Sequence, residues 1–318
     1  MPCKFMKMPI DGPLPRSRKR FQGVVVPLAT PATPDGGLDT AAHEQLVDRQ
    51  AAAGVDGVLV LGTMGEGPSV PRSLRARAVR AAVNAASGRI QVHAGIGDNA
   101  LEDALVQARE ARKAGADAVV AFPPSYFPAA ADALAAFFGR LLDQVELPLL
   151  LYNIPATTHI SIPLEVLEIL AGHPRLAGVK DSENSVPRQQ ALFQRLGGSS
   201  DFSILVGTTP LMASGLEAGA DGVVPSVGNL LPEECRRFMD AARLQDWAEV
   251  AAGAARLAAA AAHFQQGRDI GQAIAALKAL MASQGLCNPH PFPPLLELAP
   301  EEQARISLAW SDWRQAAA

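Results

Sequence analysis

Six lysines occur in this chain of 318 residues, and Lys180 stands where lysines seldom stand. It ends the apolar run Leu176-Ala177-Gly178-Val179-Lys180 and is followed by Asp181-Ser182. Lys4, Lys7 and Lys19 fall in the first twenty residues, and Lys113 and Lys278 complete the set; elsewhere arginine supplies the surface cations. An ammonium at the mouth of a buried strand is partly desolvated, which disfavours its charged form and lowers its pKa. A free amine near neutral pH attacks carbonyl carbon, so Lys180 suggests Schiff-base chemistry. The competing reading is a lysine whose stem packs on the strand end while the ammonium reaches water. Tyrosine is scarcer still, with only Tyr126 and Tyr152, each after an apolar run. Tyr152 closes Pro148-Leu149-Leu150-Leu151 and precedes Asn153-Ile154-Pro155. Its phenol either carries protons for a neighbouring amine or lies in the core with its hydroxyl on backbone.

The elements that position these residues announce themselves through a repeated phrase. Ala53-Gly54-Val55-Asp56-Gly57-Val58, Ala114-Gly115-Ala116-Asp117-Ala118-Val119 and Ala218-Gly219-Ala220-Asp221-Gly222-Val223 each follow a helical pattern and lead into an apolar run. Glycine suits the left-handed residue that ends a helix, and aspartate suits the turn before a strand. Eight short apolar runs are expected to be strands: 23–29, 57–61, 90–94, 118–122, 148–152, 177–180, 202–206 and 222–224. Helical patterns such as 74–86, 100–114 and 130–144 separate them. Continuous apolar strands alternating with helices indicate a parallel sheet covered on both faces. Eight such units over roughly 220 residues fit a (β/α)8 TIM barrel better than an open sheet. The missing GxGxxG fingerprint after the first strand points the same way. The barrel is expected over 21–230. Four helical patterns beyond it, 232–242, 247–264, 270–284 and 301–313, form a C-terminal helical region over 231–318. In a barrel of this kind the strand C-termini build the active site. Thr63, Tyr126, Tyr152 and Lys180 all fall there, after strands two, four, five and six.

The bulk composition narrows the function. Hydrophobic residues make up 48% of the chain and aromatic ones only 5%, so the core is aliphatic. A formal charge of −4 gives no reason to expect nucleic acid or an acidic membrane surface. The first twenty residues carry about +5, which reads as a solvated basic tail over 1–20. No apolar run reaches the roughly 18 residues of a membrane span. Cys3, Cys235 and Cys287 are few and far apart, which suits a reducing cytoplasm. The six histidines show no paired-ligand spacing, so neither a metal nor another cofactor is expected.

Four motifs in order on strands one, two, five and six resemble the pyruvate-dependent class I aldolases that include dihydrodipicolinate synthase and N-acetylneuraminate lyase. They are Pro27-Leu28-Ala29-Thr30-Pro31, Gly62-Thr63-Met64-Gly65-Glu66, Tyr152-Asn153-Ile154-Pro155 and Gly178-Val179-Lys180-Asp181. The resemblance implies that Lys180 forms an iminium with C2 of pyruvate or another 2-keto acid. It implies Tyr152 as general acid/base, Thr63 as the hydroxyl that orients it, and backbone N–H groups near Thr63 and Met64 as holders of the carboxylate. Gly62 and Gly65 would allow the ligand's close approach. Substrate contacts are expected at Met64, Thr157, Gly207, Thr208 and Val224. The family's assembly implies a homotetramer, with Tyr126 and the adjacent Ser125 at the contact that completes a proton relay.

The chain departs from the family pattern at informative places. Met64 stands where many members carry a second hydroxyl, and Pro124-Ser125-Tyr126 replaces a Pro-Tyr-Tyr motif. Thr157 stands where the synthases place an arginine for the aldehyde's carboxylate, and Thr208 and Thr209 stand where the sialic acid lyases place acidic residues. With Thr158, His159 and Ser226 these make a neutral donor set, unless an arginine such as Arg188 reaches in. The leading reading is an aldolase or lyase of a hydroxylated 2-keto-3-deoxy acid, with pyruvate and an aldehyde or sugar acid as partners. The rivals are a dehydratase using the same lysine, a true dihydrodipicolinate synthase, and a phosphate-binding barrel built on Gly207-Thr208-Thr209 and Ser226-Val227-Gly228-Asn229.

Overall fold

The computed structural model describes residues 21–317. The basic segment 1–20 therefore lies outside the described residues. Eight parallel strands close into a barrel: β1 (Gly23–Pro27), β2 (Gly57–Val60), β3 (Gln91–Gly95), β4 (Ala118–Ala121), β5 (Leu149–Asn153), β6 (Leu176–Asp181), β7 (Ser203–Val206) and β8 (Gly222–Val223). Each occupies one of the eight apolar runs, with ends shifted by a residue or two. β1 also pairs with β8, which closes the ring.

Nearly every strand residue is buried, because the barrel interior takes one face and the surrounding helices the other. Alternation along β5 sorts its side chains: Leu149 and Leu151 join the large cluster under the helices, while Leu150 and Tyr152 join the inner cluster with Val25, Leu59 and Leu205.

The repeated phrase acquires a mechanism. Gly54, Gly115 and Gly219 all have positive φ, at 75°, 93° and 97°. The aspartate that follows each one accepts a backbone N–H from the preceding neighbour strand. Asp56 Oδ2 takes Val24 N at 2.8 Å, Asp117 Oδ2 takes Val92 N at 2.9 Å, and Asp221 Oδ2 takes Ile204 N at 2.8 Å. The phrase thus ends a helix and staples the next strand to its neighbour at the bottom of the barrel.

After β8 come the helices Pro232–Arg243, Trp247–Gln265, Ile270–Ser283 and Pro300–Ala317. The third is started by a capping box between Asp269 and Gln272 and is buried along most of its length. Helix Trp247–Gln265 packs on its neighbours at Pro232–Arg243 and Ile270–Ser283, so the region adheres to the barrel and to itself.

One buried base lies away from the barrel mouth. Helix Thr40–Ala52 buries His43 completely, and neither ring nitrogen has a hydrogen-bond partner among the described residues. Removal from water pushes its pKa down from 6.5 to about 4. The folded value lies below the unfolded one, so the unfolded chain binds the extra proton between them. His43 therefore contributes stability above about pH 6.5 that is lost as pH falls toward 4, on the order of 2 kcal/mol by pH 5. Urea unfolding at pH 7.5 and pH 5 should show this loss in the natural chain and most of it removed in His43→Leu. An equal pH dependence in both would assign it to other groups.

Candidate functional site

Tyr152 and Lys180 are register partners on β5 and β6. Neighbours in register share a face of a sheet, so the side that carries Tyr152 into the barrel carries Lys180 there as well. Both side chains are buried, each residue 4% exposed, and Lys180 Nζ lies 3.9 Å from the centroid of the Tyr152 ring. The phenol oxygen is 3.2 Å from Thr63 Oγ1, within hydrogen-bond reach. Strands two, five and six thus deliver a hydroxyl, a phenol and an amine to one place.

Thr63 is held by a tight loop after β2. Leu61 and Glu66 have φ of 59° and 56°, and the turn closes through Glu66 N to Thr63 O at 3.0 Å and Gly67 N to Gly62 O at 3.1 Å. A Cβ at Gly65 would lie 2.7 Å from Leu28 O, so the loop's own packing against the residue after β1 requires glycine there.

Beyond Lys180 the end of β6 enters a polar network. Arg188 Nε donates to Asp181 Oδ2 at 2.8 Å, and Asn153 Nδ2 donates to Asp181 Oδ2 at 3.1 Å and to Glu183 Oε2 at 3.0 Å. Asn153 Oδ1 accepts from Ile162 N at 2.9 Å, and Arg188 Nη1 reaches Ser161 Oγ at 3.2 Å. Burial pushes the Asp181 carboxyl up from the usual carboxylate range, with the Arg188 guanidinium pulling against it. Arg188 is thereby committed behind the strands and does not reach the cavity.

That cavity, of about 490 Å³, opens beside Thr63 and Tyr152. Its walls include Leu59, Phe122, Asp98, Asn99, Ser125 and Thr157, and from the C-terminal region Ile270, Ile274 and Leu295. Lys180 is not one of its walls. The other expected contacts scatter. Gly207 abuts Lys180, since a Cβ on it would lie 3.0 Å from Lys180 Cε. Val224 sits inside the barrel in the cluster of Tyr152, and Met64 is half-buried against the core. Thr208 lines a separate crevice with Asp181, Leu192 and Leu211.

The neutral donor set is therefore split. Thr157 and Thr158 line the cavity, but both hydroxyls donate to Ile154 O, at 3.3 and 3.0 Å. Ser226 Oγ accepts from Gln265 Nε2 at 2.8 Å, and neither it nor Thr208 or Thr209 borders the cavity. Tyr126 is 78% exposed and stacks edge-on against Phe127 rather than entering the cavity. Among the described residues no group of three or more His, Cys, Asp and Glu is placed to hold a metal.

Sequence reasoning passed over several polar residues here. Asn153, Asp181 and Glu66 stand inside the quoted motifs and received no role. Arg75 lines the cavity as its one arginine among the described residues, with Nε on Val70 O at 2.9 Å and Nη1 on Gln107 Oε1 at 2.6 Å. The signal available for Lys278 was its charge in an otherwise apolar helix.

Comparison with known proteins places this geometry. The profile of the Dihydrodipicolinate synthetase family matches residues 20–311. A 4-hydroxy-tetrahydrodipicolinate synthase from Phenylobacterium zucineum is 36% identical over 228 residues, 72% of this chain and 76% of the relative. An uncharacterized DapA-like lyase of Halobacterium salinarum is 37% identical over 231 residues, 71% of this chain and 74% of the relative. Among solved structures, YagE, a prophage protein of the dihydrodipicolinic acid synthase family from E. coli K12 in complex with pyruvate, superposes with a TM-score of 0.87 at 26% identity. It covers 93% of this chain and 99% of that one. With the closed barrel, the ordered motifs and a profile match over nearly all the described chain, this protein belongs to the dihydrodipicolinate synthetase family of pyruvate-dependent class I aldolases.

Proposed function

We propose that this enzyme cleaves or forms a carbon–carbon bond in a neutral-tailed, hydroxylated 2-keto-3-deoxy acid through a Schiff base on Lys180, with pyruvate as the keto-acid partner. The observation that carries the reading is the buried pairing of Lys180 Nζ with the Tyr152 ring, 3.9 Å from its centroid, and of the phenol with Thr63 at 3.2 Å. The pyruvate in the complex of the E. coli prophage relative supports the same keto-acid class.

In the cleavage direction the Lys180 amine adds to C2 of the keto acid, and loss of water leaves an iminium. Tyr152, having given its phenol proton to that departing water, takes the proton of the C4 hydroxyl. The C3–C4 bond breaks, its electron pair passes into the iminium as an enamine, and an aldehyde departs. Protonation of the enamine at C3 and hydrolysis return pyruvate and the free amine. Thr63 keeps the phenol oriented for these transfers, and the N–H groups of its loop receive the carboxylate.

The preference for a neutral tail rests on where the cations are. A second carboxylate calls for a bidentate arginine. Thr157 stands at the cavity wall in that place, Arg188 is bound to Asp181 behind the strands, and Arg75 is bonded to Val70 O and Gln107. Threonine hydroxyls that donate to Ile154 O still accept from a substrate hydroxyl. We place the enzyme in the cytoplasm, as a homotetramer whose tight contact covers the exposed Tyr126 and Phe127.

Four measurements test this reading. Borohydride with pyruvate should reduce an adduct onto Lys180, and Lys180→Ala should abolish it; a peptide map that puts the adduct on Lys113 or Lys278 sinks the assignment. Tyr152→Phe should fold normally and slow exchange of pyruvate C3 protons in deuterated water by roughly two to four orders of magnitude, whereas near-normal exchange returns Tyr152 to a core role. Specificity constants should favour cleavage of a 2-keto-3-deoxy sugar acid over condensation of pyruvate with aspartate semialdehyde, and light scattering at micromolar concentration should give a tetramer. An efficient semialdehyde reaction overturns the substrate class, and a monomer overturns the assembly.

A further inference from the structure

We propose that Glu66 and Lys278 are positioning residues for the reaction, a buried clamp that ties the Thr63 loop to the C-terminal helical region. The inference rests on the reading of Lys180, Tyr152 and Thr63 as the reacting group. Lys278 lies in helix Ile270–Ser283 between Leu277 and Ala279, and its side chain has no exposure to solvent. Its Nζ contacts Glu66 Oε1 and donates to His290 O at 2.8 Å. The second carboxylate oxygen of Glu66 accepts Phe292 N at 2.6 Å. One carboxylate therefore joins the loop after β2, the helix at Lys278 and the segment that carries His290 and Phe292.

Stability does not account for the pair. A buried ion pair is often no better than an apolar pair of similar volume, because desolvation offsets the attraction. Burial here pushes the Glu66 carboxyl above its usual range, with Lys278 and the Phe292 N–H acting against that push. What the pair supplies is direction. Glu66 sits in the left-handed region at φ 56°, and its N–H closes the turn onto Thr63 O. A carboxylate fixed at both oxygens fixes that turn, and the turn fixes the Thr63 hydroxyl against the Tyr152 phenol. Misplacement by about 1 Å at a reacting group costs on the order of a hundredfold in rate. The same C-terminal region lends Ile270, Ile274 and Leu295 to the cavity wall, so the clamp sets loop and wall together.

The test uses pyruvate alone, following C3 proton exchange in deuterated water as kcat and KM, with thermal unfolding measured beside it. Glu66→Met combined with Lys278→Met replaces the pair by an apolar one and cuts the tie to Phe292. Glu66→Gln combined with Lys278→Met removes the charges but keeps an acceptor for Phe292 N. We expect both doubles to fold. The kcat for exchange should fall about ten- to a hundredfold in the first and less in the second, with a higher KM for pyruvate in both. Exchange at the natural rate in either folded double overturns the clamp, and failure of both to fold assigns the pair to the fold alone and overturns it equally. Borohydride trapping on the natural chain separates the two levels. No adduct at Lys180 removes the aldolase reading and the clamp with it, whereas an adduct with unchanged doubles removes the clamp only.

Discussion

The pairing of β5 with β6 is the constraint on which the site depends. Side chains alternate along a strand, so a slip of one residue in either strand would send Tyr152 or Lys180 into the helix layer. Closure makes such a slip costly, since each strand answers to neighbours on both sides and the ring has no free edge to absorb the error. The register is further secured where the two strands leave the sheet. Asn153 and Asp181 are themselves register partners, and their side chains bond at 3.1 Å. The residues that follow Tyr152 and Lys180 therefore lock the two strands in register.

That lock is electrostatic and expensive. Asp181 is buried, and burial alone favours its protonated form. Arg188, with its side chain only 10% exposed, compensates and is itself held by Ser161 and by Glu183. Its bonds act together against that desolvation, with Arg188 Nη2 the one guanidinium nitrogen left buried without a partner among the described residues. Arg188 is thus engaged by Asp181, Glu183 and Ser161 together. The positive charge that sequence reasoning left open as a visitor to the cavity is spent on the scaffold.

Much of the fold was legible because parallel strands buried on both faces must be continuous apolar runs, and the eight runs were the eight strands. The repeated glycine and aspartate were equally plain, since each carries a local conformational demand. Lys180 and Tyr152 stood out as rare polar residues at the ends of such runs. What escaped was everything decided by loop conformation or by distant pairing. After β7 and β8 the chain turns at once into short 3-10 helices, Thr209–Leu211 and Ser226–Asn229, which carry Thr208 and Ser226 away from the cavity. No strand periodicity reports that turn. Glu66 and Phe292 are 226 positions apart, and nothing local in either segment names the other.

The division of work between barrel and C-terminal region follows from these two kinds of contact. Backbone register fixes the amine and the phenol, and register is insensitive to what surrounds the barrel mouth. The Thr63 loop has no such support, because it lies beyond the last paired residue of β2 and relies on two left-handed residues that are not glycine, Leu61 and Glu66. Conformations of that kind cost about 1–3 kcal/mol each and persist only when the surroundings over-determine them. The surroundings here are the helix at Lys278 and the backbone of Phe292, which together occupy both oxygens of Glu66. A helical region that looks like an appendage in the sequence is thus the outer half of the loop's own support, and the cavity beside Tyr152 exists in its present shape because both halves meet there.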